Sequence, residues 1–145
     1  MQVDFYHLTR QPIERVLPRL AERVVAGGGR LLIVSGEAGQ RAAIDKLLWT
    51  YSAESFLPHA LAGGGADAVQ PVLIAATPEA GNGARNILIA DAAWRDAALA
   101  FDRAFHLFDD SVIAEARAAW KGLAGRDGVE RRYWKQGEGG WEQAA

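Results

Sequence analysis

The chain has 145 residues, half of them hydrophobic and 23% charged, with no cysteine. That length suits one domain, residues 1–145, with a sizeable core, since domains run to about 100–200 residues. Without cysteine there are no disulfides, no thiolate metal ligands and no cysteine nucleophile, which suits the reducing cytoplasm, and a net charge of −2 speaks against a strongly basic nucleic-acid binder.

The opening residues Met1 to His7 show neither a basic segment nor a long apolar run, so no signal peptide is expected. No apolar stretch nears the roughly 18 residues of a membrane span. Val3 to Leu8 reads as a first strand. Pro12 then stands where a helix can start, and Ile13, Val16, Leu17, Leu20, Val24 and Val25 recur at helical spacing. Gly27-Gly28-Gly29 ends that helix. Leu31-Leu32-Ile33-Val34 is apolar throughout, the pattern of a strand covered on both faces. A second helix is expected over Ala38 to Trp49. The stretch from Ala53 to His59 fits neither period, and Gly63-Gly64-Gly65 is a flexible connection.

Pro71 to Ala76 and Asn86 to Ala90 are two more buried-type strands, separated by a polar loop. Trp94 to Phe101 reads as a short helix and Arg103 to Phe108 as a strand. Asp109-Asp110-Ser111 forms a cap cluster for a last helix over Val112 to Ala124. The stretch Val129 to Ala145 is aromatic and charged. Strands alternating with helices predict an α/β fold in three layers with a mostly parallel sheet.

The catalytic patterns fail one after another. Gly36-Glu37-Ala38-Gly39-Gln40-Arg41 follows a strand and opens a helix, the right place for a phosphate loop. Yet Gly39 is not followed by the lysine and hydroxyl that would hold phosphate and magnesium. His7, His59 and His106 lack metal-ligand spacing. No serine-hydrolase elbow occurs. Asp109 and Asp110 could pair as catalytic carboxylates, but capping explains them better.

Two surfaces stand out. One runs from Trp49 to His59, where pattern alone leaves core and interface equally open for Trp49 and Phe56. The other is the C-terminal helix and tail, residues 110–145. Arg117, Trp120 and Lys121 share one side of the helix. From Arg117 to Lys135 six cations face two acids, a local surplus in a chain that is negative overall. A basic patch beside an aromatic ledge suits an acidic peptide ending in a hydrophobic residue. It would also suit single-stranded nucleic acid stacked on Trp120, Tyr133 and Trp134, and a nucleotide-dependent enzyme on the same scaffold is a further alternative.

Several segments together carry a resemblance: Val3 to Leu8, Asp45 to Trp49, Glu54-Ser55-Phe56-Leu57-Pro58-His59, Pro71 to Ile74, Phe108 to Ser111 and Ala116 to Lys121. In this order they resemble the chi subunit family of bacterial DNA polymerase III, over residues 3 to about 141. The Leu-Trp and Glu-Ser-Phe-Leu-Pro-His element is the most specific part. The resemblance implies a three-layer α/β/α domain with a mostly parallel, mixed sheet, Rossmann-like but without a nucleotide site. It implies an accessory subunit of a DNA-directed DNA polymerase, with no activity, cofactor or metal of its own. Such a subunit links the clamp loader to the single-stranded-DNA-binding protein by gripping that protein's acidic C-terminal tail, which ends in phenylalanine. In some bacteria it also binds a small subunit, psi.

Carried over residue by residue, the resemblance assigns the tail site to Arg117, Trp120 and Lys121. Trp49 and Phe56, with Pro58 and His59 shaping the loop, match the surface that faces psi, or another partner such as the clamp loader where psi is absent. The chain departs from the family in two places. A cation near Ile113 is missing, and the extension through Trp141 is longer, so that Arg131, Arg132 or Lys135 would compensate.

Overall fold

The structure, a computed structural model, describes residues 1–52 and 56–145. Glu54 and Ser55 of the most specific sequence element therefore lie outside the described residues. In chain order the elements are β1 (Gln2–Leu8), α1 (Ile13–Ala26), β2 (Leu31–Val34), α2 (Ala38–Thr50), β3 (His59–Leu61), β4 (Val72–Ala75), β5 (Asn86–Ile89), β6 (Arg103–Asp109), α3 (Ile113–Gly122), β7 (Glu130–Gly137) and β8 (Gly140–Gln143).

The strands form one eight-stranded sheet in the order β3-β4-β2-β5-β6-β1-β7-β8. Every neighbouring pair is parallel except the β7–β8 hairpin. The apolar runs of β2, β4 and β5 are buried because helices and turns lie on both faces. On one face α1 and α2 bury Val16, Leu17, Leu20, Ile44 and Leu48 against Leu31, Ile33, Ile74 and Leu107. On the other, α3 and a turn of 3-10 helix at Asp96–Ala100 bury Ala98, Ala116 and Leu123 against Val3, Phe5, Ile87 and Phe108. The result is the three-layer mixed α/β arrangement that the alternation predicts.

Pro12 caps α1 in extended conformation and Glu14 supplies an acid to its first turn. At the other end Gly28 takes φ +85, and a Cβ on Gly29 would sit 3.0 Å from the Asn86 side chain. The positive φ favours glycine at position 28, and at position 29 any side chain would have to displace Asn86 slightly.

Two polar side chains tie β1 to the C-terminal hairpin. Asp4 is fully buried. Its carboxylate accepts hydrogen bonds from Arg103 Nε at 2.9 Å, Gln2 Nε2 at 2.9 Å and Trp134 Nε1 at 3.0 Å. Gln136 Oε1 accepts from the amides of Thr9, Arg10 and Gln11 at 2.7–2.9 Å. These amides converge just before α1, and the carboxamide oxygen fills the concavity they make.

Two expectations are corrected. Trp94 to Phe101 is not a helix beyond the 3-10 turn at Asp96–Ala100. Arg95 is extended and paired with Asp91, and Trp94 Nε1 donates to Asp96 at 2.9 Å, so helical geometry begins only after Arg95. The last helix is shorter than Val112 to Ala124, because residues 110–112 form a 3-10 turn first. The irregular stretch ending at His59 leads into a short edge strand, and the C-terminal stretch supplies two strands that periodicity did not show.

Candidate functional site

The C-terminal half of β6 and the Asp109–Ser111 cluster aim α3 across the sheet. Asp109 Oδ1 accepts from the Ser111 amide at 2.9 Å, the capping role expected of it. Asp110 turns the other way, and its Oδ1 lies 2.6 Å from His7 Nε2. The two carboxylates thus serve different partners and do not form a catalytic pair. The second nitrogen of His7, Nδ1, lies 3.0 Å from the Tyr133 hydroxyl. Both contacts are met by one tautomer, with the proton on Nε2 given to Asp110 and the Tyr133 hydroxyl donating to Nδ1.

Trp120 sits half-buried at the centre of this region. Its ring meets Phe5 at 5.3 Å between centroids and Tyr133 at 5.7 Å, nearly perpendicular in both cases, the edge-to-face geometry aromatic pairs favour. The Arg131 guanidinium lies over the Trp120 ring, 4.0 Å from its centroid, and Arg131 Nη1 donates to the Trp120 carbonyl at 2.7 Å. Arg117 and Lys121 are exposed on α3 on either side of Trp120 in sequence. Burial raises the Tyr133 pKa, and the nearby Arg117 charge lowers it in part. Arg117 is therefore close enough for its charge to be felt at that ring.

Of the six cations between Arg117 and Lys135, two are neutralised locally. Arg126 pairs with Asp96 at 3.1 Å and Arg132 with Glu130 at 2.9 Å. Arg117, Lys121, Arg131 and Lys135 have no carboxylate partner among the described residues. Strand alternation puts Arg131, Tyr133 and Lys135 on the face of β7 that α3 covers, and Arg132, Trp134 and Gln136 on the other. The unpaired cations and two aromatic rings thus gather on one side of the molecule.

The same alternation corrects the stacking alternative. Trp134 packs on Tyr6 across the α1 face and is bonded to Asp4, so Trp120, Tyr133 and Trp134 do not form one platform. No period in the sequence marks a strand here, and the contact of Arg131 with Trp120 is not legible in it. Polar and aromatic residues alternate on both faces of β7, which hides the period.

At the opposite edge of the sheet, α2 and β3 bring Trp49, Phe56 and His59 together. Trp49 is 55% exposed and Phe56 72% exposed, so neither folds back into the core. Their ring centroids are 5.9 Å apart, and Trp49 lies 4.6 Å from the His59 ring. His59 is buried, with Nδ1 2.8 Å from the Leu57 carbonyl and Nε2 3.1 Å from the Asp45 carbonyl. It ties the loop to α2 beneath Trp49, and Pro58 beside it in the chain is half-buried. This edge lies across β4, β2, β5, β6 and β1 from the β7 cations.

The phosphate-loop position at Gly36 is filled from within. Its amide donates to Asp91 Oδ2 at 2.9 Å, the Ala93 amide donates to Oδ1 at 3.1 Å, and Arg95 binds both oxygens at 2.8–2.9 Å. Burial works against the Asp91 charge, yet these hydrogen bonds and the Arg95 charge bring its pKa down to about 2. A crevice of about 640 Å³ opens beside it at the carboxyl ends of the central strands. Glu14, Glu37, Asp91 and Asp109 line it against Arg10, an acidic rim that disfavours phosphate. Among the described residues no cluster of His, Asp or Glu could hold a metal ion, and no helix is long and apolar enough to cross a membrane.

Comparison with known proteins places this architecture. Residues 1–129 match the family model described as DNA polymerase III chi subunit, HolC. DNA polymerase III subunit chi of Escherichia coli strain K12 is 34% identical over 112 residues, covering 75% of this chain and 76% of its own. The protein of the same description from Pseudomonas aeruginosa is 35% identical over 91 residues, 61% of this chain and 62% of its own. A probable DNA polymerase III subunit chi from Rickettsia prowazekii is 29% identical over 73 residues, 50% of this chain and 44% of its own. With the match spanning most of the chain, from β1 through α3, the protein belongs to the DNA polymerase III chi subunit family.

Proposed function

We propose that the chain is an adaptor of the replicative polymerase and carries no catalysis of its own. In this reading residues 1–145 act as one unit with two contact surfaces on opposite sides of the sheet. The C-terminal surface holds the acidic tail of the single-stranded-DNA-binding protein. Arg117 and Lys121 take its carboxylates, and Trp120 walls the pocket for its terminal phenylalanine. The Trp49, Phe56, Pro58 and His59 surface docks psi, or the clamp loader directly where psi is absent. DNA is reached through these partners.

The observation that carries the reading is the set of cations around Trp120 and Tyr133 that have no carboxylate partner among the described residues. In a chain of net charge −2, acids are plentiful, yet these cations are left unpaired beside an aromatic ledge. A cation set next to a half-buried ring suits an acidic peptide with an apolar end, in charge and in apolar contact. The exposed Trp49 and Phe56 pair supports the second surface, since exposed aromatic pairs are a common anchor for partner binding.

Calorimetric titration tests this directly. The purified protein is titrated with a peptide carrying the host's own acidic tail, and with the same peptide lacking its terminal phenylalanine. Binding of the first and not the second is expected. Equal binding of both, or of neither, would count against the pocket.

A further inference from the structure

Arg131 lies beyond residue 129, where the family match ends, and it makes the most specific contact in the region. Its guanidinium is stacked on Trp120 at 4.0 Å and tied by Nη1 to the Trp120 carbonyl at 2.7 Å. Arginine presents five N–H donors in a planar fork. Those two contacts hold the group against the ring and use one donor, and no carboxylate partner occupies the rest among the described residues. The neighbouring Arg132 has the opposite arrangement. It points to the other face of β7 and its Nη2 is 2.9 Å from Glu130.

A cation held rigid against an aromatic wall, with its remaining donors open, is arranged to receive a planar carboxylate. Holding the fork in place beforehand removes much of the ordering cost of binding. We infer that Arg131, supplied by β7, is a specificity-determining residue of the peptide site, and that its guanidinium takes the terminal carboxylate of the peptide whose last side chain packs against Trp120. The inference rests on the tail-binding reading above and deepens it. The hairpin β7–β8 then becomes part of the recognition surface, positioned by Gln136 at the amides of Thr9, Arg10 and Gln11 and by the Trp134 bond to Asp4.

The test uses the full chain, two peptides and three variants. The peptides are the acidic tail ending in phenylalanine with a free carboxylate, and the same peptide with its C-terminus amidated. Arg131→Ala should weaken binding of the free-carboxylate peptide about tenfold or more, the size of one lost charge-assisted hydrogen bond. Amidation should weaken binding to the unsubstituted protein by a similar factor, yet change little in Arg131→Ala, because the two losses are one interaction. Arg131→Lys keeps the charge and loses the planar fork, so it should recover only part of the affinity. Arg132→Ala should bind as the unsubstituted protein does.

A merely structural Arg131 would leave the amidation effect intact in Arg131→Ala, and that result overturns the inference. So would unchanged or tighter binding by Arg131→Ala, which would make the guanidinium a cover over Trp120. Failure of the unsubstituted protein to bind either peptide overturns the tail reading and this inference together. Far-ultraviolet circular dichroism and thermal melting of Arg131→Ala establish that loss of affinity does not come from loss of fold.

Discussion

His7 and Asp110, 103 residues apart in the chain, meet at 2.6 Å across the end of the sheet. Through its other nitrogen His7 also holds the Tyr133 hydroxyl at 3.0 Å, and Tyr133 stands edge-on to Trp120. The first strand thereby fixes the start of α3 and the ring beside Trp120 in one stroke. His7→Ala removes both bonds and leaves the partly buried Tyr133 hydroxyl unpaired. It should cost about 1–2 kcal/mol of stability in urea unfolding, and it should weaken peptide binding by loosening the ledge. A variant with unchanged stability would show that the contact is incidental.

Asp4 predicts a larger effect. A fully buried carboxylate with three donors around it is costly to remove, because Arg103 and the Trp134 indole lose their acceptor. Asp4→Ala should destabilise the protein by about 2–3 kcal/mol, measured by denaturant unfolding. Asp4→Asn, which keeps an acceptor, should lose less.

His106 makes the fold sensitive to acid. Among the described residues neither ring nitrogen has a hydrogen-bond partner, and the ring is packed among Phe5, Trp94 and Phe108. Burial pushes its pKa down to about 4; the Asp91 carboxylate opposes that shift and the Arg95 cation adds to it. The unfolded chain takes up the proton near pH 6.5 and the folded one only near pH 4. The contribution is therefore fully present above about pH 6.5 and is lost as pH falls from there toward 4, by up to about 3 kcal/mol. Asp91, with its pKa at about 2, adds a further loss only below pH 4, as it titrates from its ordinary value downward. Thermal melts of His106→Phe between pH 7 and 4.5 should show a flatter profile than the unsubstituted protein. Parallel profiles would contradict a buried, neutral His106.

Arg117→Ala should weaken binding of the acidic peptide by about 1–3 kcal/mol, the range for a hydrogen bond to a charged group. Arg117 is exposed, so the loss should shrink as salt is raised. Unchanged affinity in the titration would remove Arg117 from the site.

Trp49 and Phe56 are expected to affect partners and not folding. Both are exposed, so the pair Trp49→Ala and Phe56→Ala should change thermal stability by no more than about 1 kcal/mol. Capture of the host's psi or clamp-loader subunits should be lost, while peptide affinity stays as it was. A fall in peptide affinity would mean that the two surfaces are not separate.

How far the sequence could be read depended on how each segment is stabilised. Runs such as Leu31 to Val34 are buried on both faces, and α1 carries its apolar residues at helical spacing, so both are visible in the residues themselves. β3 and β7 are not. Three residues from His59 are too few to show a period, and β7 sets Arg131, Tyr133 and Lys135 against Arg132, Trp134 and Gln136, with no apolar side to betray it. The helix spacing of Arg117, Trp120 and Lys121 was legible because i, i+3 and i+4 suffice to place them together. The stacking of Arg131 on Trp120 was not, since it joins a helix to a strand through tertiary contact. Exposure of Trp49 and Phe56 was likewise undecidable from pattern, because an aromatic in an irregular loop can turn inward or outward with equal ease.

The most direct test of the account follows the indole N–H signals of the five tryptophans by nuclear magnetic resonance, assigned by single substitutions, while the acidic peptide ending in phenylalanine is added. The account predicts that the Trp120 signal moves with saturation and that Trp49, at the far edge of the sheet, stays in place. Movement of Trp49 with Trp120 unaffected would put the peptide on the other surface, and would contradict the assignment of the tail site to α3 and β7.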